Sequence, residues 1–157
     1  MTFAVLLGCA GALHGAEARE SAPRFSATTL SGERFTNDVV KGRVVLVQFW
    51  ATWCGYCRRE QEAVDTLAKE FEKKGLLVLA VNVGESKKKV AQYLKESPRA
   101  CPIVLMENTN LAAIYGPRAF PLYIVIDKDG KVAGRQDGAG GEEALRDLLG
   151  KAGLEPE

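Results

Sequence analysis

Apolar residues along the chain follow two rhythms. Arg43–Trp50, "RVVLVQFW", and Leu76–Val83, "LLVLAVNV", are nearly unbroken apolar runs rich in Val and Leu, the pattern of strands covered on both faces. Between them Val64, Leu67, Ala68 and Phe71 recur at i, i+3, i+4 and i+7. That spacing predicts a helix from about Cys54 to Lys74, stopped by Gly75. "ESKKKVAQYLKES" predicts a second helix, apolar at Val90, Tyr93 and Leu94 and ended by Pro98. "PIVLM" reads as a short strand, and "NLAAIYG" as a helical turn or two closing at Gly116. "PLYIVIDKDGKVAGRQ" is strand, Asp-Gly turn and strand, an antiparallel hairpin. "GEEALRDLLGKAG" is a closing helix with Leu145, Leu148 and Leu149 inward. Near the start, "APRFSATTLSGERFT" predicts another hairpin, turning at Ser31-Gly32. The order implies an α/β domain: a central mixed sheet flanked by helices, with an N-terminal β-hairpin extension.

Composition narrows this picture little but excludes much. With 157 residues, 46% of them hydrophobic and 26% charged, the chain suits one domain with one sizeable core. A net charge of +1 gives no footprint for nucleic acid, and Lys87-Lys88-Lys89, the single basic run, reads as a solvated helix face. Phe3 to Leu13 is apolar and small, too short to span a bilayer, and followed by polar "HGAEARE". It suits the core of an export signal, although no Lys or Arg precedes it. The expected division is therefore a leader over 1–18 and one domain over 19–157. Two processing routes compete. "LLGC" has the form of a bacterial lipobox, making Cys9 a lipidation candidate, and "AEA", ending at Ala18, has the form of a signal-peptidase site.

Export would expose cysteines to oxidants, and two of the four stand together in "FWATWCGYCRRE". A zinc site needs about four ligands. The one histidine, His14, lies in the leader, and no second C-x-x-C exists, so no metal is expected. A structural staple across so small a loop would stabilise little. A redox pair is the favoured reading. Cys54 falls in the first helical turn after a buried strand, where free N–H groups and the macrodipole favour a thiolate. It is therefore the expected nucleophile, and Cys57 the resolving thiol. Cys101 reads as a small buried hydrophobe. Trp50 is expected in the core and Trp53 beside the sulfurs.

"VVLVQFWATWCGYCRRE" resembles the active-site strand and helix of thioredoxin-like proteins, most of all the TlpA/ResA branch of extracytoplasmic thiol-disulfide oxidoreductases. The likeness continues through "RFSATTLSGERF", "AVNVGES" and "PLYIVIDKDGKV", from about Pro23 to Leu149. It implies a thioredoxin-like fold with no cofactor. It also implies a cis bond before Pro121, leaving the Phe120 backbone to pair with an extended client. The client-binding set would be Trp53, Gly55, Tyr56, Phe120 and Pro121. Glu85 in "NVGES" matches a ResA-type glutamate, expected to be desolvated, raised in pKa, and the acceptor of the Cys57 proton. The chain departs from the pattern at Gln48, where cytoplasmic thioredoxins carry an Asp, and at Phe120, Leu122 and the Gly55-Tyr56 pair.

The resemblance further implies a periplasmic reductant of protein disulfides, for example in cytochrome c maturation. Its partners would be client proteins such as apocytochrome c and a membrane thiol reductase as electron donor. It would act as a monomer, tethered to the membrane if Cys9 is lipidated. The alternatives are a metallochaperone or client-holding protein, for which the cysteine spacing is too close and a downstream histidine is missing, and a peroxiredoxin-like peroxidase. "FWATWC" supplies that last reading with Thr52 but not the Pro it needs.

Overall fold

The computed structural model describes residues 18–156. The leader, with Cys9, His14 and the "AEA" site up to residue 17, lies outside the described residues. The elements in chain order are β1 Ser26–Thr29, β2 Arg34–Thr36, β3 Val44–Trp50, α1 Gly55–Phe71, β4 Leu76–Asn82, α2 Lys87–Glu96, β5 Ile103–Thr109, α3 Leu111–Tyr115, β6 Leu122–Ile126, β7 Val132–Asp137 and α4 Gly141–Gly150. A single 3₁₀ turn, Glu72–Lys74, finishes α1. Gly75 then takes a left-handed conformation at φ +91°, which an L side chain adopts only under strain.

The strands form one sheet in the order β2-β1-β5-β4-β3-β6-β7. β3 lies parallel to β4, from Val44 opposite Leu76 to Trp50 opposite Asn82, and antiparallel to β6. Every residue of β3 and β4 is buried, as unbroken apolar runs require when both faces are covered. On one face Leu46, Trp50 and Val78 pack with Leu67 and Phe71 of α1, Val90 of α2, and Leu145, Leu148 and Leu149 of α4. On the other, Val45, Val47, Phe49 and Leu79 pack with Leu111 of α3 and with Phe25 and Phe35. Helix α1 is the crossover between parallel strands β3 and β4. Its start therefore sits at the carboxyl end of the central strand, where open α/β sheets place their sites.

β5 runs three residues past Met106, the end of the expected "PIVLM". The extension, Glu107–Thr109, is more polar than the strand before it. It is held as a strand because β1 pairs with β5 antiparallel, Ala27 opposite Thr109, across an irregularity between Ala27 and Thr29. The N-terminal hairpin thus widens the sheet on the side away from β3.

Candidate active site

At the end of β3 the chain turns through Ala51–Trp53, and the Cys54 amide donates back to the Ala51 carbonyl at 3.2 Å. Cys54 is the N-cap of α1, with extended backbone at φ −78° and ψ 105°. Its Sγ accepts a hydrogen bond from the Cys57 amide at 3.1 Å. Sulfur here does what a Ser or Asp oxygen does at other helix starts, partnering one of the N–H groups that a helix leaves unpaired. Cys54 and Cys57 are joined by a disulfide. Both residues are almost fully covered.

The cover is aromatic. Trp53 and Tyr56 are 63% and 61% exposed, unusual for such large side chains in a protein with a continuous core. Trp53 meets the Phe120 ring edge-on at 5.8 Å between centroids. The Arg59 guanidinium lies 4.3 Å above the centre of the Tyr56 ring, a cation–π contact. The Phe120–Pro121 peptide bond is cis, and β6 starts at the next residue. Trp53, Gly55 and Tyr56 flank the two cysteines in the chain, and Phe120, which precedes Pro121, packs on Trp53 and on the core cluster that holds both cysteines. Trp50 is in the core beneath them, 1% exposed.

Glu85 is where expectation and structure part. Its side chain is hidden, as expected, but its carboxylate is saturated with donors. One oxygen accepts from the Thr52 amide at 2.7 Å and from Asn82 at 2.8 Å, the other from the Thr52 hydroxyl at 2.6 Å and from Lys89 at 2.7 Å. Burial works to raise the Glu85 pKa, but hydrogen bonds from Asn82, Lys89 and Thr52 outweigh it and hold the group down at about 2. The expected upward shift is thereby corrected in sign. A carboxylate this acidic has little affinity for a thiol proton at neutral pH. What its geometry does is fasten the turn that carries Trp53 and Cys54 to the start of α2.

A second carboxylate, Glu60, drew no attention as a sequence feature and is 5% exposed. It lies on α1 one turn after Cys57 and faces the core. It accepts from the Tyr123 hydroxyl at 2.6 Å and from the amides of Gly140 and Gly141, where α4 begins. Tyr123 in turn accepts from Gln48 Nε2 at 3.2 Å, and Gln48 Oε1 accepts from Arg99 at 2.9 Å. Arg99 pairs with Asp65 at 3.2 Å and covers the Trp50 ring at 5.5 Å. Burial, together with donation to Glu60, raises the Tyr123 pKa well above that of a free tyrosine. Gln48 therefore replaces a titrating strand residue with a neutral relay between Tyr123 and Arg99. The signal that could have located Glu60 is weak: a lone acid on the helix face that Val64, Leu67 and Phe71 otherwise make apolar.

Cys101 stands apart. It is buried just before β5, near Ala68 and Lys69 of α1 and Leu77 of β4. Burial pushes its thiol up to about 11. Among the described residues no group of three or more His, Cys, Asp or Glu side chains could hold a metal ion.

Residues 17–149 match the family model described as Redoxin. The chain belongs to the Redoxin family. This Redoxin protein is 30% identical over 132 residues to the thiol-disulfide oxidoreductase ResA of Bacillus cereus (strain ZK / E33L), covering 84% of this chain and 76% of that protein. Among solved structures it resembles a thiol:disulfide interchange protein of the thioredoxin family from Chlorobium tepidum TLS, with TM-score 0.73 and 26% identity over 86% of this chain and 97% of the other. It also resembles the exposed lipoprotein thioredoxin Etrx1 of Streptococcus pneumoniae strain TIGR4, with TM-score 0.71 and 25% identity over 84% and 100% of the two chains. The fold is thioredoxin-like, and within the Redoxin family the chain is of the TlpA/ResA type. It is a thiol-disulfide oxidoreductase, and its clients are disulfide-containing proteins.

Proposed function

We propose that this Redoxin protein acts outside the cytoplasm as a reductant of client disulfides, with Cys54 as nucleophile and Cys57 as resolving thiol. The observation that carries the assignment is the Cys57 amide aimed at Cys54 Sγ at the start of α1, which would hold a thiolate at that atom as it holds the sulfur now. In the reduced protein the Cys54 thiolate attacks one sulfur of a client disulfide. A mixed disulfide forms, and the other client sulfur leaves as a thiolate and takes a proton. Cys57 then loses its proton and attacks Cys54 Sγ. The second client sulfur leaves and the Cys54–Cys57 disulfide closes. Two electrons and two protons pass to the client, and a membrane thiol reductase would return them. Apocytochrome c is the client class that the ResA likeness suggests.

Under this reading the aromatic cover, Trp53, Tyr56 and Phe120 with Pro121, is the client surface. Glu85 is a positioning residue for the Thr52–Cys54 turn rather than the acceptor of the Cys57 proton. Residues 1–18 are the export signal and 19–157 the working domain. Lipidation at Cys9 after cleavage would tether it, a reading supported by its similarity to a lipoprotein thioredoxin. No described helix is long and apolar enough to cross a membrane.

Two measurements test the proposal. Brief iodoacetamide treatment of the reduced protein should label Cys54 well before Cys57, and Cys57→Ser should accumulate mixed disulfides that Cys54→Ser lacks. Labelling of Cys57 first would reverse the roles. Equilibration with glutathione should give a potential more negative than about −200 mV, whereas a value near about −120 mV would make the protein an oxidant.

A further inference from the structure

We propose that the rim of the disulfide selects client segments that carry carboxylates beside the target cysteine, through Arg59 and Arg118. This rests on the thiol-disulfide exchange reading and adds the chemistry of the client. Three observations carry it.

First, the cation at the site is held in place. Besides stacking on Tyr56, the Arg59 guanidinium reaches back over Gly55, where a β-carbon would lie 3.9 Å from its Nη1. It therefore covers the dipeptide between the two cysteines. A guanidinium lying flat on a ring keeps its N–H edges free for an incoming carboxylate, a planar partner that matches its fork. Second, Arg118 is exposed two residues before Phe120, whose ring meets Trp53. Neither Arg59 nor Arg118 has an ion pair among the described residues.

Third, three carboxylates near the site are engaged within the protein. Glu60, adjacent to Arg59 in sequence, points into the core toward Tyr123 and the start of α4. Glu85 is enclosed by Thr52, Asn82 and Lys89. Asp137, opposite Leu122 on β7, is paired with Arg135. Glu62, one turn after Arg59 on α1, and Glu107, on β5 beside Gly84–Ser86, are exposed acids, and neither is ion-paired with Arg59 or Arg118. Arg59 and Arg118 therefore stay open to a client carboxylate while Glu60, Glu85 and Asp137 are engaged within the protein. Rim charges of this kind steer encounter and choose between partners more than they add affinity, and salt screens them.

The experiment uses the reduced protein and two short peptides, each with one intramolecular disulfide. One peptide has Asp and Glu flanking its cysteines, and the other has Asn and Gln at the same positions. At about 20 mM salt the acidic peptide should be reduced roughly fivefold faster, the gain of one or two exposed ion pairs, and at about 300 mM the ratio should approach one. Arg59→Gln with Arg118→Gln should bring the low-salt ratio to one. Arg59→Glu with Arg118→Glu should reverse the preference toward a Lys-flanked peptide. Arg58→Gln serves as a control, since Arg58 lies over the groove lined by Gln61, Asp65 and Tyr93, and it should leave the ratio as it was. Equal rates for both peptides at low salt would overturn the proposal while leaving exchange intact, as would a preference that survives loss of both arginines. Reduction of neither peptide would sink the exchange reading together with this one.

Discussion

Cys54 and Cys101 are about equally hidden, at 4% and 7% exposure, yet their surroundings differ in kind. Cys54 lies where a strand hands over to a helix, and its sulfur receives an amide hydrogen. Cys101 lies where a loop enters a strand, and burial drives its thiol up to about 11. Covered area therefore says little about whether a cysteine reacts. What differs is position: Cys54 caps a helix, whose free N–H groups and macrodipole favour a thiolate, whereas Cys101 has only its own amide and Arg99 to set against burial and Asp65. The same contrast separates the carboxylates. Glu85 is concealed yet holds its charge because four donors face it, and its pKa falls where burial alone would raise it.

The largest test of the contrast is chemical. Cys54→Ser should lower disulfide exchange by at least about a thousandfold, the scale on which removal of a nucleophile acts. Cys101→Ser should leave the rate unchanged in the same stopped-flow assay. A dependence of exchange on Cys101 would erase the distinction between the two regions.

Glu85→Gln comes next. The folded pKa of Glu85 is about 2, below the 4.5 of an ordinary glutamate, so the group contributes stability that is fully present above about pH 4.5 and lost as pH falls through about 2. At pH 7 the substitution should cost roughly 2 kcal/mol in urea unfolding, less than the full linkage value because Lys89 is half-exposed to screening solvent. The difference from wild type should shrink as pH drops below about 4.5. A constant difference down to pH 2 would mean that the carboxylate's charge does not hold the turn. If exchange in Glu85→Gln keeps its pH midpoint while its rate falls, Glu85 positions the site. A shifted midpoint would restore it as a proton acceptor.

Tyr123→Phe removes the one hydroxyl between Glu60 and Gln48 and should cost about 1–2 kcal/mol, since it leaves buried partners unsatisfied. Smallest is Cys101→Ala. It removes one buried sulfur from an apolar site and should cost about 1 kcal/mol, with the Cys54–Cys57 potential unmoved. An equal loss in both variants would make the polar network no more demanding than ordinary packing.

The elements around Cys54 were legible in the sequence because each is encoded locally: a seven-residue apolar run, a helix spacing, a stop at Gly75. The cysteine pair was legible for the same reason, its two members being three residues apart. The missing parts are the non-local ones. "RRE" reads as three surface charges, and nothing within a turn of Glu60 reveals that its partners are residues 123, 140 and 141. β5 looked shorter because the strand that holds its polar end in the sheet lies about eighty residues earlier, in the hairpin. Glu85 shows a subtler limit. Its concealment could be inferred, but the sign of its shift depends on how many donors converge on it, and two of those belong to Thr52, 33 positions away.

The Glu60 contacts also impose a schedule on biosynthesis. The redox helix α1 is made early, but the groups that satisfy its buried acid lie 63, 80 and 81 residues downstream. Until residues 123, 140 and 141 have emerged and folded back, the Glu60 carboxylate lacks the donors that hold it in the finished protein. The cysteines are thus present in the nascent chain well before the helix that carries them can be seated on its last partners.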